Sequence, residues 1–178
     1  METATKNFNW QDTFLDLYDR CVEKYRSGNE DFTTYFSDGD LAFLTSIGYK
    51  PRELFDFVED LVDMNSPSRE TALLVAAVRR DFLNTVQQGQ LSENEVTNDD
   101  LPARDAELDG FVWLPRIITK ARAKLNGELH PDVMYCCGGD RKFLKGHDIH
   151  PADFLRAVWA AHDDDTKISA YVKANSSA

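Results

Sequence analysis

Tyr35-Phe36-Ser37-Asp38-Gly39-Asp40-Leu41-Ala42-Phe43-Leu44 is answered, 100 positions on, by Tyr135-Cys136-Cys137-Gly138-Gly139-Asp140-Arg141-Lys142-Phe143-Leu144. At that offset Tyr, Gly, Asp, Phe and Leu recur at 35, 39, 40, 43 and 44, and Pro51 and Val58 recur as Pro151 and Val158. Glu53-Leu54-Phe55 against Asp153-Phe154-Leu155 adds like-for-like pairs. Self-similarity at a fixed period is the mark of a repeated structural unit. The chain therefore reads as all-α, with two pseudo-symmetric multi-helix units produced by internal duplication and packed together.

Helix signals surround these stretches. Asn9 or Asp12 can cap a first helix running to about Arg26, with Phe14, Leu17, Tyr18, Cys21, Val22 and Tyr25 on one face. Gly28 sits where a left-handed residue ends a helix. A short helix follows Asp40 and stops at Gly48, and Pro51 opens another with Leu54, Phe55, Val58, Leu61 and Val62 as its stripe. Ser66-Pro67 starts a long helix through Leu73, Leu74, Ala77, Val78, Phe82 and Val86, closed by Gly89. Downstream, helices are expected from about Phe111 to Asn126, from near Asp140 to Gly146, from Pro151, and after Asp164 or Asp165. The polar stretch between the halves reads as a connection. The expected organisation is an acidic first unit over 1–89, a loop over 90–109 and a second unit over 110–178.

Composition narrows the function classes. The formal charge of −11 opposes sequence-independent nucleic-acid binding, which needs a basic surface to displace counterions. The charge is uneven: 10 basic residues face 23 acidic ones up to Asp109, net −13, whereas 10 face 8 from Gly110 onward, net +2. Opposite signs suit two halves that attract each other. No run of about 18 apolar residues exists to span a membrane. Met1 to Asn9 lacks the apolar stretch of a signal peptide, and an odd cysteine count (Cys21, Cys136, Cys137) fits reduced thiols. The expected location is the cytoplasm.

A duplication makes each copy the control for the other. Tyr135, Asp140, Phe143 and Pro151, present in both copies, read as structural, with Asp140 as a helix N-cap. Cys136-Cys137 faces Phe36-Ser37, and His147 faces Ile47, so a polar site belongs to the second copy. Gly138 and Gly139 allow close backbone approach to a ligand, and the helix beginning at Asp140, followed by Arg141, turns its positive end toward an anion. There Cys137 is the candidate nucleophile and His147 or His150 the candidate base. The alternative is a glycine turn with cysteines as small buried apolar groups. His147 and His150 could share a metal with Cys137, but no second CxxC or HxxxH supports them, and no metal is expected.

The segment from Phe111 to Asn126 carries Arg116, Lys120, Arg122 and Lys124 and no acidic residue. Arg116, Lys120 and Lys124, spaced four apart, line one edge, while Leu114, Ile117, Ile118, Ala121 and Leu125 supply the buried face. Such a stripe can hold a carboxylate or phosphate. It can also be the seam that meets the acidic half.

Leu108-Asp109-Gly110-Phe111-Val112-Trp113-Leu114-Pro115-Arg116, then Lys120-Ala121-Arg122, Gly127-Glu128 and Tyr135 to Asp140 with Phe143, resembles a bacterial domain-of-unknown-function family, number 5069. The likeness runs from Leu108 to about Ala160. It places Arg116, Lys120, Arg122, Glu128, Tyr135, Cys137 and Asp140 on motif positions and Cys136 on a free one. Thr119 departs from the family's Asp, and Gly138-Gly139 from a bulkier pair. The resemblance implies no reaction and no cofactor. Three functions compete: a module binding a small anionic metabolite through Arg116, Lys120, Gly138, Gly139, Asp140 and Arg141; a cysteine-dependent enzyme using Cys137; and a structural module whose acidic first unit meets a protein partner.

Overall fold

Apolar residues spaced three and four apart behind Asn9 wind the first helix, α1 (Trp10–Arg26), and bury Phe14, Leu17, Tyr18, Cys21 and Val22 along one face. The computed structural model describes residues 7–176; the stretch 1–6, part of the polar N-terminus noted above, lies outside the described residues. α2 (Asp38–Ser46) starts at a reciprocal capping box between Ser37 and Asp40. Pro51, pre-set for a first turn, opens α3 (Pro51–Met64). α4 (Arg69–Thr85) follows; it starts later than the Ser66-Pro67 expected, because Ser68 Oγ accepts the Thr71 amide at 3.1 Å.

Among the described residues the second half holds a two-stranded hairpin and four further α-helices, besides a 3-10 turn at Asn98–Asp100: β1 (Glu107–Leu108), β2 (Phe111–Val112), α5 (Leu114–Asn126), α6 (Gly138–Gly146), α7 (Pro151–Ala161) and α8 (Asp165–Ser176). The protein is thus mainly all-α. The strands went unpredicted because they are two residues long, turned by Asp109 and Gly110 at φ 53° and 84°. α5 starts after them at Leu114, with Pro115 in its first turn, the start that Pro115 implies in the sequence.

Close packing divides the chain after Leu74, within α4. In the first unit, described from residue 7, α1 lies along α3, and Tyr25, Phe32 and Tyr35 all pack on the Phe55 ring. The Tyr18 hydroxyl donates to the Phe57 carbonyl at 3.0 Å. In the second unit, from Val75, α5 packs on α7, and α7 also meets α6 and α8. The expected buried face of α5 (Leu114, Ile117, Ile118, Ala121, Leu125) is buried throughout. The stretch expected to connect the halves runs within this unit: Val96 bonds to Glu128 and His130 through its amide and carbonyl.

The stripe read for α4 is partly wrong. Leu74 and Val86 are exposed, while Ala72, Val75, Ala76, Val78, Arg79 and Leu83 are buried. Arg79, charged and therefore absent from an apolar stripe, is completely buried, its Nη1 on the carbonyl of Leu125 at 2.7 Å and on Gln87 Oε1 at 2.6 Å. It thereby serves the end of α5, where carbonyls lack helical partners. Gly127, at φ 74°, completes that end, and a Cβ there would lie 2.5 Å from Arg79 Nη2.

At the offset of 100, local backbone bonds recur. The amides of Ile47 and Tyr49 donate to the Leu44 carbonyl, as those of His147 and Ile149 do to that of Leu144. Gly48 and Asp148 both take positive φ, 75° and 53°.

Two outcomes follow from this packing. Arg79→Met strands the last carbonyls of α5 and should cost about 2–4 kcal/mol in urea unfolding, since hydrogen bonds to charged groups contribute about 1.5–3 kcal/mol each. In the first unit, burial pushes the Asp56 carboxyl up to about 7, against the opposing pull of Arg52. A folded-state pKa above the unfolded one means protonation favours the fold. That contribution is full below the unfolded carboxylate range and is lost as pH rises toward 7. The melting temperature of Asp56→Asn should therefore gain on that of the unsubstituted protein between pH 5 and pH 8, within roughly the window the shift defines.

Candidate functional site

The carboxylate of Asp140 is the centre of the polar arrangement in the second unit. It is fully buried, and it accepts from Lys120 Nζ at 2.5 Å, from Trp113 Nε1 at 2.9 Å and from the Cys136 amide at 2.9 Å. The expected N-cap role is therefore corrected: Cys137 is the N-cap of α6, and Asp140 stands three residues inside. A side chain at that third position can reach back toward the residues before the helix, as Asp40 does to Ser37. In α6 the carboxylate bonds to Cys136, one residue further back, and takes two side-chain donors as well.

Gly138 and Gly139 are also reassigned. They form the first turn of α6, and the left-handed position is Cys136, at φ 71°. The use of Gly139 is steric: a Cβ there would stand 2.5 Å from Cζ2 of the Trp113 indole. Without one, the indole lies against the start of α6 and reaches Asp140. Gly138 is exposed, and a Cβ there would make only an ordinary contact, 3.9 Å from Arg141 Nη2. Arg141 turns back to the Cys136 carbonyl at 2.7 Å.

Lys120 is only 3% exposed, so the stripe on α5 is not a solvated edge. Its ammonium, besides holding Asp140, lies 3.2 Å from Cys137 Sγ. Arg116 donates to the Pro102 carbonyl at 2.8 Å and to Asn98 Oδ1 at 3.3 Å, with its guanidinium 5.7 Å from the centre of the Trp113 ring. Arg122 leaves the group: it bonds Asp165 and the His162 carbonyl. Lys124 is buried at 1% exposure.

These side chains surround a cavity of about 260 Å³. Trp113 just before α5, Arg116 and Lys120 from α5 and Cys137 from the start of α6 line it, with Arg104 from the preceding loop. Leu101, Val133 and Met134 add apolar surface, and Asn98 and Asp132 add polar groups. Arg104 is exposed and makes no hydrogen bond or ion pair among the described residues.

The cysteines differ sharply. Cys21 and Cys136 are buried, and burial pushes their thiols up to about 11 and about 12. Cys137 is half-buried and faces the cavity. His147 is not brought to it. Its Nδ1 bonds Ser176 Oγ at 2.7 Å, and its ring packs on Phe111 and Phe143. His150 caps α7 by accepting the Ala152 amide. Among the described residues no group of three His, Cys, Asp or Glu is placed to hold a metal ion, and no helix is long and apolar enough to cross a membrane.

Residues 100–178 match the model of a domain of unknown function, DUF5069. The resemblance read from Leu108 onward lies within that match. Every residue lining the cavity except Asn98 falls in the DUF5069 segment. Arg116, Lys120, Cys137 and Asp140, all within the matched range, meet at or directly behind its wall. No curated protein and no solved structure matches the chain.

Trp113, Arg104 and the 132–134 segment escaped the sequence reading. Trp113 carried one signal, an indole donor immediately before Leu114-Pro115. The others reach the cavity through loop paths that no periodicity encodes.

Asp140→Ala removes one member of a buried ion pair and leaves Lys120 uncompensated, at a cost of about 3–5 kcal/mol. Equilibrium urea unfolding should register that loss, and Asp140→Asn, which keeps an acceptor, should lose less.

Proposed function

We propose that the second unit is a binding module for a small anionic ligand, seated in the cavity between α5, the start of α6 and the loops bearing Arg104 and Val133. The observation that carries this reading is the convergence of Arg104, Arg116 and Lys120 on one cavity of about 260 Å³. That volume is a little below the range of about 300–1,000 Å³ common for small-molecule pockets, so the ligand is of metabolite size or smaller.

The cations have different parts. Lys120 is already matched by Asp140, so it shapes the wall more than it attracts charge. Arg116 is held in place by Pro102 and Asn98 while keeping other N–H groups for an acceptor. Arg104 has no competing partner among the described residues and supplies the uncompensated charge. A planar guanidinium suits carboxylate or phosphate, and the Trp113 ring and Met134 offer apolar surface for the rest of the molecule. Asp132, on the same wall, sets one negative charge against the three cations.

Thermal unfolding against inorganic phosphate, phosphorylated sugars and small carboxylates tests this reading. A ligand present at 100 times its dissociation constant should add about 2.7 kcal/mol, a midpoint rise of several degrees. Arg116→Gln, Arg104→Gln and their combination should weaken binding by calorimetry about tenfold or more per arginine, the loss of one charge-assisted hydrogen bond. If no anion in the panel moves the midpoint, or if the double variant binds as tightly as the parent, the cavity is not an anion site.

A further inference from the structure

An anion site needs no thiol, yet a sulfur stands on the wall of this one. Cys137 lines the same cavity as Arg104 and Arg116, and Lys120 Nζ, on the same wall, approaches its Sγ to 3.2 Å. The cavity and its cations, more than the cysteine itself, point to a ligand. A thiol compound that enters here meets positive charge before it meets sulfur.

We propose that Cys137 is a site of reversible mixed-disulfide formation with a small anionic thiol compound, of the class of an acidic peptide disulfide, whose carboxylates are seated by Arg104 and Arg116. The inference rests on the anion-site reading and names the ligand class for it. The step balances without a further reagent. Cys137 gives its proton to solvent, and the Sγ thiolate attacks one sulfur of the incoming disulfide in line with its S–S bond. The Sγ–S bond forms, the old S–S bond breaks, and its electron pair leaves on the second sulfur as a thiolate that solvent can protonate. The incoming disulfide is the oxidant, and Cys137 is oxidised to the mixed disulfide. Exchange proceeds through the thiolate, and the Lys120 ammonium lies where negative charge on Sγ is met by an N–H donor.

The surroundings also fix the fate of the adduct. Cys136, adjacent in sequence, is fully buried, and its amide is bound to Asp140. Burial holds its thiol up at about 12, so it does not serve as a resolving thiol near neutral pH. The mixed disulfide therefore persists until an external thiol reverses it. The half-seated compound occupies the anion site, so formation of the adduct and binding of a free anion exclude each other.

The experiment uses the full reduced chain and three disulfides of different charge: glutathione disulfide (anionic), bis(2-hydroxyethyl) disulfide (neutral) and cystamine (cationic). Intact mass and peptide mapping follow the adduct, and each rate is divided by that of N-acetylcysteine with the same reagent, which removes differences in leaving group. One adduct is expected, on Cys137, with the normalised rate for glutathione disulfide about tenfold or more above that for the neutral reagent, as charge steering provides. Cystamine should be slower than either. In the Arg104→Gln/Arg116→Gln protein the anionic preference, read as the ratio of the two rates within that protein, should vanish, and Cys136→Ser should still form the adduct.

No adduct on Cys137, or no charge ranking among the reagents, overturns the proposal. Absence of ranking in a protein whose midpoint is raised by small anions overturns the disulfide chemistry alone. Absence of both overturns the anion site with it. Circular dichroism of each variant at the assay temperature confirms that the rates belong to folded protein.

Discussion

A single buried carboxylate organises the second unit. Asp140 has no contact with water, so each acceptor site it leaves unfilled would carry the full penalty of desolvation. Three donors meet that demand, and they come from three places: the middle of α5, the residue preceding it and the backbone before α6. Satisfying one charge thereby fixes the distance between two helices and the pose of an indole. Gly139 belongs to the same constraint, since any larger residue would push the indole off its acceptor. The wall of the cavity is what remains when these requirements are met together.

Charge on α5 is used in different ways along its length. Lys120 is drawn inward and neutralised, whereas Arg122 is spent on Asp165 near the start of α8. Arg116 is braced by a carbonyl and an amide oxygen, neither of which cancels its charge. A helix that looks uniformly basic in sequence thus presents positive charge at one end. Together with Arg104, that end gives a chain of net charge −11 a local surface suited to anions. The end of α5 is finished differently, by a guanidinium from α4 placed over its final carbonyls.

Neighbouring cysteines illustrate how burial separates identical groups. Cys136 points into the unit with its backbone in the left-handed region, and Cys137 faces the cavity. The turn between them is held by Asp140, which takes the Cys136 amide and leaves Cys137 at the N-cap position of α6. Chemical potential at this site therefore depends on a hydrogen bond to the backbone more than on the cysteines themselves.

Much of the fold was legible in the order of residues. Periodic apolar positions, Pro51 and Pro151 at first turns and Gly28 and Gly127 past helix ends placed the helices to within a few residues, because these signals act through local backbone geometry. The residues Arg116, Lys120, Cys137 and Asp140 were also marked out, by residue type and by family motif. Their roles were not. Asp140 has the form of a helix cap, His147 that of a base for Cys137, and Gly138-Gly139 that of a ligand turn. Each was reassigned by neighbours brought in from elsewhere: Trp113 and Lys120 for Asp140, Phe111 and Ser176 for His147, the indole for Gly139. Side-chain type and helical spacing are properties of the chain alone, whereas burial and choice of partner exist only once distant segments share a volume. Tertiary structure alone decided which charges are matched, which thiol is open and where the cavity lies.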